Sequence, residues 1–95
     1  LDWTLPARAF VKRYVSTRMG GAQRFALLLA WITKGDTKDE MSIKDLRSQW
    51  AKMKALMGGE YNGAYATRAK ENGWVDSQKH GVYKLRKGWQ EALKS

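Results

Sequence analysis

Ninety-five residues, 43% of them hydrophobic and 12% aromatic, are enough for one globular domain with a modest core. Five tryptophans supply bulky anchors and argue against disorder, and the lack of cysteine excludes disulfides, zinc fingers and iron–sulfur clusters as built-in features. Eighteen basic against nine acidic residues leave a formal charge of +9, a balance that favours a polyanionic partner: DNA, RNA or an anionic membrane surface.

After a short lead-in, Leu5-Pro6 predicts the start of a helix, because proline suits a first helical turn. Ala7, Phe10, Val11, Tyr14 and Val15 recur at helical spacing, Arg8, Lys12 and Arg13 occupy the opposite face, and Met19-Gly20-Gly21 ends the segment. A second helix is expected from about Ala22 to Lys34, with Phe25, Leu28, Leu29 and Ile32 as its apolar stripe, Trp31 widening it and Gly35 as C-cap. Asp36 to Glu40 reads as an acidic loop. Ser42-Ile43-Lys44-Asp45 matches a capping box that opens a third helix, continued by Leu46, Trp50, Met53 and Met57 and broken at Gly58-Gly59. The fourth helix spans about Tyr61 to Asn72 and stops at Asn72-Gly73. Trp74-Val75 starts a strand, Ser77 to Gly81 forms the turn, and Val82 to Leu85 returns with Tyr83 and Leu85 on one face and Lys84 on the other. A short terminal helix carries Trp89, Ala92 and Leu93.

The expected fold class is therefore mostly α with a small antiparallel β-hairpin. The helix–hairpin order resembles the winged helix-turn-helix superfamily, as found in many bacterial and archaeal transcription regulators. The residues that carry the resemblance are Ser42-Ile43-Lys44-Asp45-Leu46, then Ala69-Lys70-Glu71-Asn72-Gly73-Trp74-Val75, and finally Gly81-Val82-Tyr83-Lys84-Leu85 with Lys87-Gly88. It covers about residues 22–95, which leaves residues 1–21 as an N-terminal helical extension. The resemblance implies a winged helix-turn-helix with an extra N-terminal helix, whose fourth helix would enter a DNA major groove. The same fold also serves protein–protein recognition, so the function does not follow from it.

On the fourth helix, Asn62, Thr67, Arg68 and Lys70 are the candidate DNA-binding residues. Arginine can grip guanine through two acceptors, and an asparagine amide can do the same for adenine. Gly63 and Ala64 would let backbone approach a groove, but close packing on neighbouring helices is the preferred reading of such small residues. Of Tyr61 and Tyr65, at least one is expected in the core. At the wing, Lys79 and His80 form a basic tip with Lys84 and Arg86 behind it, suited to the phosphate backbone or the minor groove. Arg47, Lys52 and Lys54 on the third helix are candidate phosphate contacts, and Arg8, Lys12 and Arg13 either extend that footprint or face solvent.

The charges fall into two basic blocks around an acidic loop: six bases and one acid in residues 1–35, two and four in 36–45, ten and four in 46–95. No catalytic constellation, phosphate-cradling loop or metal pair is legible, His80 is the only histidine, and neither enzymatic activity nor a cofactor is expected. The longest apolar run, Phe25 to Ile32, is too short to span a membrane. A chain starting at Leu1 with no signal-peptide pattern is expected to be part of a larger intracellular protein, cytoplasmic or nucleoid-associated. DNA is the leading partner; a protein-interaction module within an assembly, offering Trp3, Trp31 or Trp89 as an exposed patch, is the alternative, and RNA binding with tyrosines stacked on unpaired bases is a third reading.

Overall fold

The computed structural model describes residues 1–16 and 18–94. Among them are four α-helices, α1 (Ala7–Tyr14), α2 (Gly21–Thr33), α3 (Ile43–Lys52) and α4 (Gly63–Glu71), and a small antiparallel sheet of β1 (Met41–Ser42), β2 (Val75–Lys79) and β3 (Val82–Leu85). The expected short terminal helix is a 3-10 helix, Trp89–Leu93. The mostly α class with a C-terminal hairpin is as expected, and the whole is compatible with a winged-helix-like arrangement. The hairpin has an additional partner: β1 pairs with β3, giving the order β1-β3-β2. Two residues carry no period-2 pattern, so β1 is defined only by its pairing, Met41 opposite Tyr83 and Ser42 opposite Val82.

Helix α2 is the centre of the fold. Every residue from Phe25 to Ala30 is fully buried, because the neighbouring helices and β3 surround it. Its N-terminus carries Gly21, where a Cβ would lie 2.1 Å from the Tyr65 ring. Gly20-Gly21 is therefore more than a helix break: the missing side chain at Gly21 allows α4 to pack against α2. Buried Gln23 donates from Nε2 to the Ala92 carbonyl at 2.9 Å and ties the 3-10 turn to the same helix end. At the other end Lys34 and Gly35 both adopt left-handed angles, and Gly35 N donates to the Ala30 carbonyl at 2.9 Å.

Helix α1 ends at Tyr14, five residues before the Met19-Gly20-Gly21 stop read from the sequence, since Val15 turns extended. Its Phe10 and Val11 are fully buried, and Trp3 stacks on Phe10 with ring centroids 5.6 Å apart. Trp31 Nε1 donates to the Leu5 carbonyl at 2.8 Å and Lys34 Nζ to the Trp3 carbonyl at 3.1 Å. Five residues of lead-in are thereby held against the end of α2.

Helix α3 also ends early. It is regular only to Lys52, and residues 53–59 form successive turns in which Met53 and Met57 still reach the core. Two side chains hold this segment: Trp50 Nε1 donates to the Gly59 carbonyl at 2.8 Å, and an Arg24 guanidinium nitrogen donates to the Met57 carbonyl. Their partners are backbone oxygens that the broken helix leaves without intrahelical donors.

Candidate nucleic-acid interface

The N-termini of α3 and α4 are each set by a polar cap. Ser42 Oγ accepts from Lys44 N at 3.2 Å, and Asn62 Oδ1 accepts from Ala64 N at 2.9 Å. The expected serine cap is present. The Asn62 amide, a candidate adenine reader, thus has one of its acceptor positions engaged by the helix. Tyr61 and Tyr65 are both half-buried around Trp50, which is fully buried: their ring centroids lie 5.4 and 5.6 Å from the indole. This aromatic cluster sets the height at which α4 starts.

Along α4, Ala66 and Ala69 face the core while Gly63, Thr67, Arg68, Lys70 and Glu71 are exposed. The packing reading fails for Gly63, since a Cβ there would meet nothing within 4 Å. Close packing belongs to Gly21, on the other side of the Tyr65 ring. Arg68 lies to one side of the exposed face, in a cleft with Glu71 and Gly20–Ala22 at the start of α2.

The turn of the wing is shorter than the sequence implied. Strand β2 continues to Lys79, so the turn is His80-Gly81 rather than Ser77 to Gly81. The pairing passes from Asp76 opposite Lys84 to Lys79 opposite Val82, so β2 carries one residue more than β3 over that stretch, a bulge. The bulge is held by Ser77, whose Oγ donates to the Lys79 carbonyl at 2.9 Å. At the tip Gly81 adopts a φ of +73°, and its carbonyl accepts from Ile43 N at 2.7 Å. The tip therefore rests on the first residue of α3, which places exposed Lys79 and His80 beside the start of a helix whose exposed face carries Lys44 and Arg47. Lys84 sits opposite Asp76 in the hairpin register and is half-buried.

The three α3 candidates separate. Arg47 and Lys54, together with Lys44, Ser48, Ala51, Glu60 and Tyr61, line an open groove of about 450 Å³ over the buried Trp50. Lys52 lies round the helix in a different cleft, with Trp31, Ile32, Lys34 and Asp45, and its carbonyl accepts from Arg8 Nη2 at 3.2 Å. The basic face of α1 thus adjoins Lys52 and not the wing. Lys54 lies past the end of α3 and pairs with Glu60 at 3.2 Å, an exposed ion pair. Arg47 stands over the Tyr61 ring, 5.9 Å from its centroid. Burial raises the Tyr61 phenol to about 12, the neighbouring Tyr83 adds to the rise, and Arg47 opposes it. At neutral pH that hydroxyl is an uncharged donor.

Sequence reasoning passed over Lys44 and the groove. The signal was present in the three-residue spacing of Lys44 and Arg47, which puts both on one helical face. The bond between Ile43 and Gly81 that brings the wing to them joins residues 38 positions apart and leaves no trace in local pattern. Among the described residues no group of three or more His, Asp or Glu side chains could hold a metal, and no helix is long and apolar enough to cross a membrane. No protein-family model, curated protein or solved structure matches this chain.

Proposed function

We propose that this chain is a winged-helix domain that binds double-stranded DNA through α4, the start of α3 and the wing tip. The order helix, strand, helix, helix, hairpin, with sheet order β1-β3-β2, supports the winged-helix reading. The observation that carries the partner is the Ile43–Gly81 hydrogen bond. It joins the tip that carries Lys79 and His80 to the start of α3, which bears Lys44 and Arg47. Side chains of this kind neutralise phosphates and release counterions. A two-residue tip resting on α3 suits contact along the phosphate backbone better than reaching into a minor groove. Thr67, Arg68, Lys70 and the Asn62 amide are the polar groups that α4 offers for base edges, and with so many cations around them affinity should be largely electrostatic and sequence preference weak.

The competing reading, a protein-interaction module, called for an exposed tryptophan. Trp89 is buried, and Trp3 and Trp31 are half-buried and engaged within the chain. Leu1 and Leu93 are the exposed large hydrophobic residues among those described, which is little area for a stable interface.

The test is a titration of a labelled random-sequence duplex across a salt series. Micromolar binding at low salt that weakens steeply as salt rises is expected. Arg47→Ala and Lys79→Ala should each reduce the slope of log affinity against log salt by about one, while Lys52→Ala should leave it unchanged. Absence of binding at low salt would refute the proposal, and a Lys52→Ala effect equal to that of Arg47→Ala would refute the orientation.

A further inference from the structure

Phosphate contact alone does not account for the groove beside α3. Phosphate needs exposed cations, whereas this groove of about 450 Å³ also offers an aromatic ring, Tyr61, backed by the buried Trp50, beneath a rim of Lys44, Arg47 and Lys54 with the one carboxylate of Glu60. The Tyr61 ring is held in place from three sides, by Trp50, Tyr65 and Phe25, at centroid distances of 5.4, 6.1 and 6.2 Å. The Arg47 guanidinium stands over the ring at 5.9 Å from its centroid, well beyond the ~3.5–4.0 Å of close stacking. Arg47 is exposed and its side chain is free to rotate about single bonds. A rigid ring with a displaceable cation above it and further cations along the rim combines the two features that bind unpaired nucleotides: a stacking platform and a positively charged track.

We propose that this groove takes one unpaired nucleotide, its base on the Tyr61 ring and its phosphate between Arg47 and Lys44, so that the domain favours duplex ends bearing a single-stranded tail over blunt duplex. The proposal rests on the nucleic-acid reading above and adds a substrate feature to it. The neutral phenol brings no negative charge to the site and can donate to the phosphate or to a base edge. Lys54, paired with Glu60, closes the far end of the groove and contributes less.

The experiment compares three labelled DNAs at fixed salt: a blunt duplex, the same duplex with a short thymidine tail, and the tail strand alone. The tail should tighten binding about 5- to 100-fold in the unaltered chain and in Tyr61→Phe, and the gain should vanish in Tyr61→Leu, which keeps apolar bulk without a ring. Photocrosslinking of the unaltered chain to a tail carrying iododeoxyuridine requires no variant and should map to Tyr61. Blunt binding with no gain from the tail, a gain that survives Tyr61→Leu, or a crosslink elsewhere would overturn the groove and leave the duplex reading standing. Binding of the tailed DNA with none of the blunt duplex would uphold the groove and overturn the duplex reading. Failure of all three DNAs to bind at low salt would overturn both.

Discussion

Replacing Gly21 by alanine should destabilise this domain even though alanine is the better helix former. The gain from helix propensity is at most about 0.5–1 kcal/mol. Against it, the new Cβ would lie 2.1 Å from the Tyr65 ring, where ordinary contact begins at 3.4 Å, so the ring or the helix must move by about 1.3 Å. The ring has little room to do so: it stacks on Trp50 at 29°, meets Tyr61 edge-on, and lies beneath Arg24, whose guanidinium carbon is 5.8 Å from its centroid. Overpacking of this kind costs about 1–3 kcal/mol, so a net loss of about 1 kcal/mol is expected, or roughly 4–8 °C in Tm for a domain of this size. The assay is thermal unfolding followed by circular dichroism, with Gly63→Ala as the reference. Gly63 has open space around it and no positive φ, so that change should be neutral or should stabilise by up to about 1 kcal/mol. In a Tyr65→Ala background the obstacle is gone and Gly21→Ala should become neutral or stabilising, a coupling that a double-mutant cycle measures directly. A Gly21→Ala variant with unchanged or raised Tm would refute the claim that this glycine sets the approach of α2 and α4.

Trp31→Phe removes the donor to the Leu5 carbonyl and weakens the platform under Lys34, whose Nζ lies 4.3 Å from the indole centroid. It should cost about 1 kcal/mol and raise amide exchange in residues 1–6 before the rest of the chain. Trp50→Phe leaves the Gly59 carbonyl without its donor and a void beneath Tyr61, for a loss of about 2–4 kcal/mol in denaturant unfolding. Tyr61 gives stability a dependence on alkaline pH. Its phenol is raised from 10 to about 12 in the folded chain, so its contribution is complete below pH 10 and is lost as pH rises towards 12, because the unfolded chain releases this proton first. A phenolate absorbance titration of the unaltered chain minus that of Tyr61→Phe should show a transition near pH 12; a difference centred at pH 10 would mean that the ring is not desolvated as described.

The elements that could be read in advance are those whose signals are local. The Phe25, Leu28, Leu29 and Ile32 stripe of α2, the serine cap at α3, the stop at Asn72-Gly73 and the return strand Val82–Leu85 all rest on side-chain periodicity or on backbone preferences of single residues. The early ends of α1 and α3 were not legible in this way. Val15, Met53 and Met57 continue the apolar spacing but reach the core from non-helical backbone, and periodicity records burial rather than the conformation that achieves it. Strand β1, too short for any pattern, exists because β3 offers it a partner.

For the candidate site the division is the same. Composition and spacing alone identified a basic chain, a helix before a hairpin and most of the exposed cations on them. Which of those cations share a surface was decided only when distant segments met. The Ile43–Gly81 bond brings the wing tip to α3, the turn of the helix sends Lys52 towards Arg8 and away from Arg47, and Asn62 is drawn into a cap. Charge and amphipathicity are properties of residues and can be summed along a chain. A surface is a property of distances between residues far apart in sequence, and here those distances are set by three packing contacts: Gly21 on Tyr65, Trp50 on Gly59, and Gly81 on Ile43.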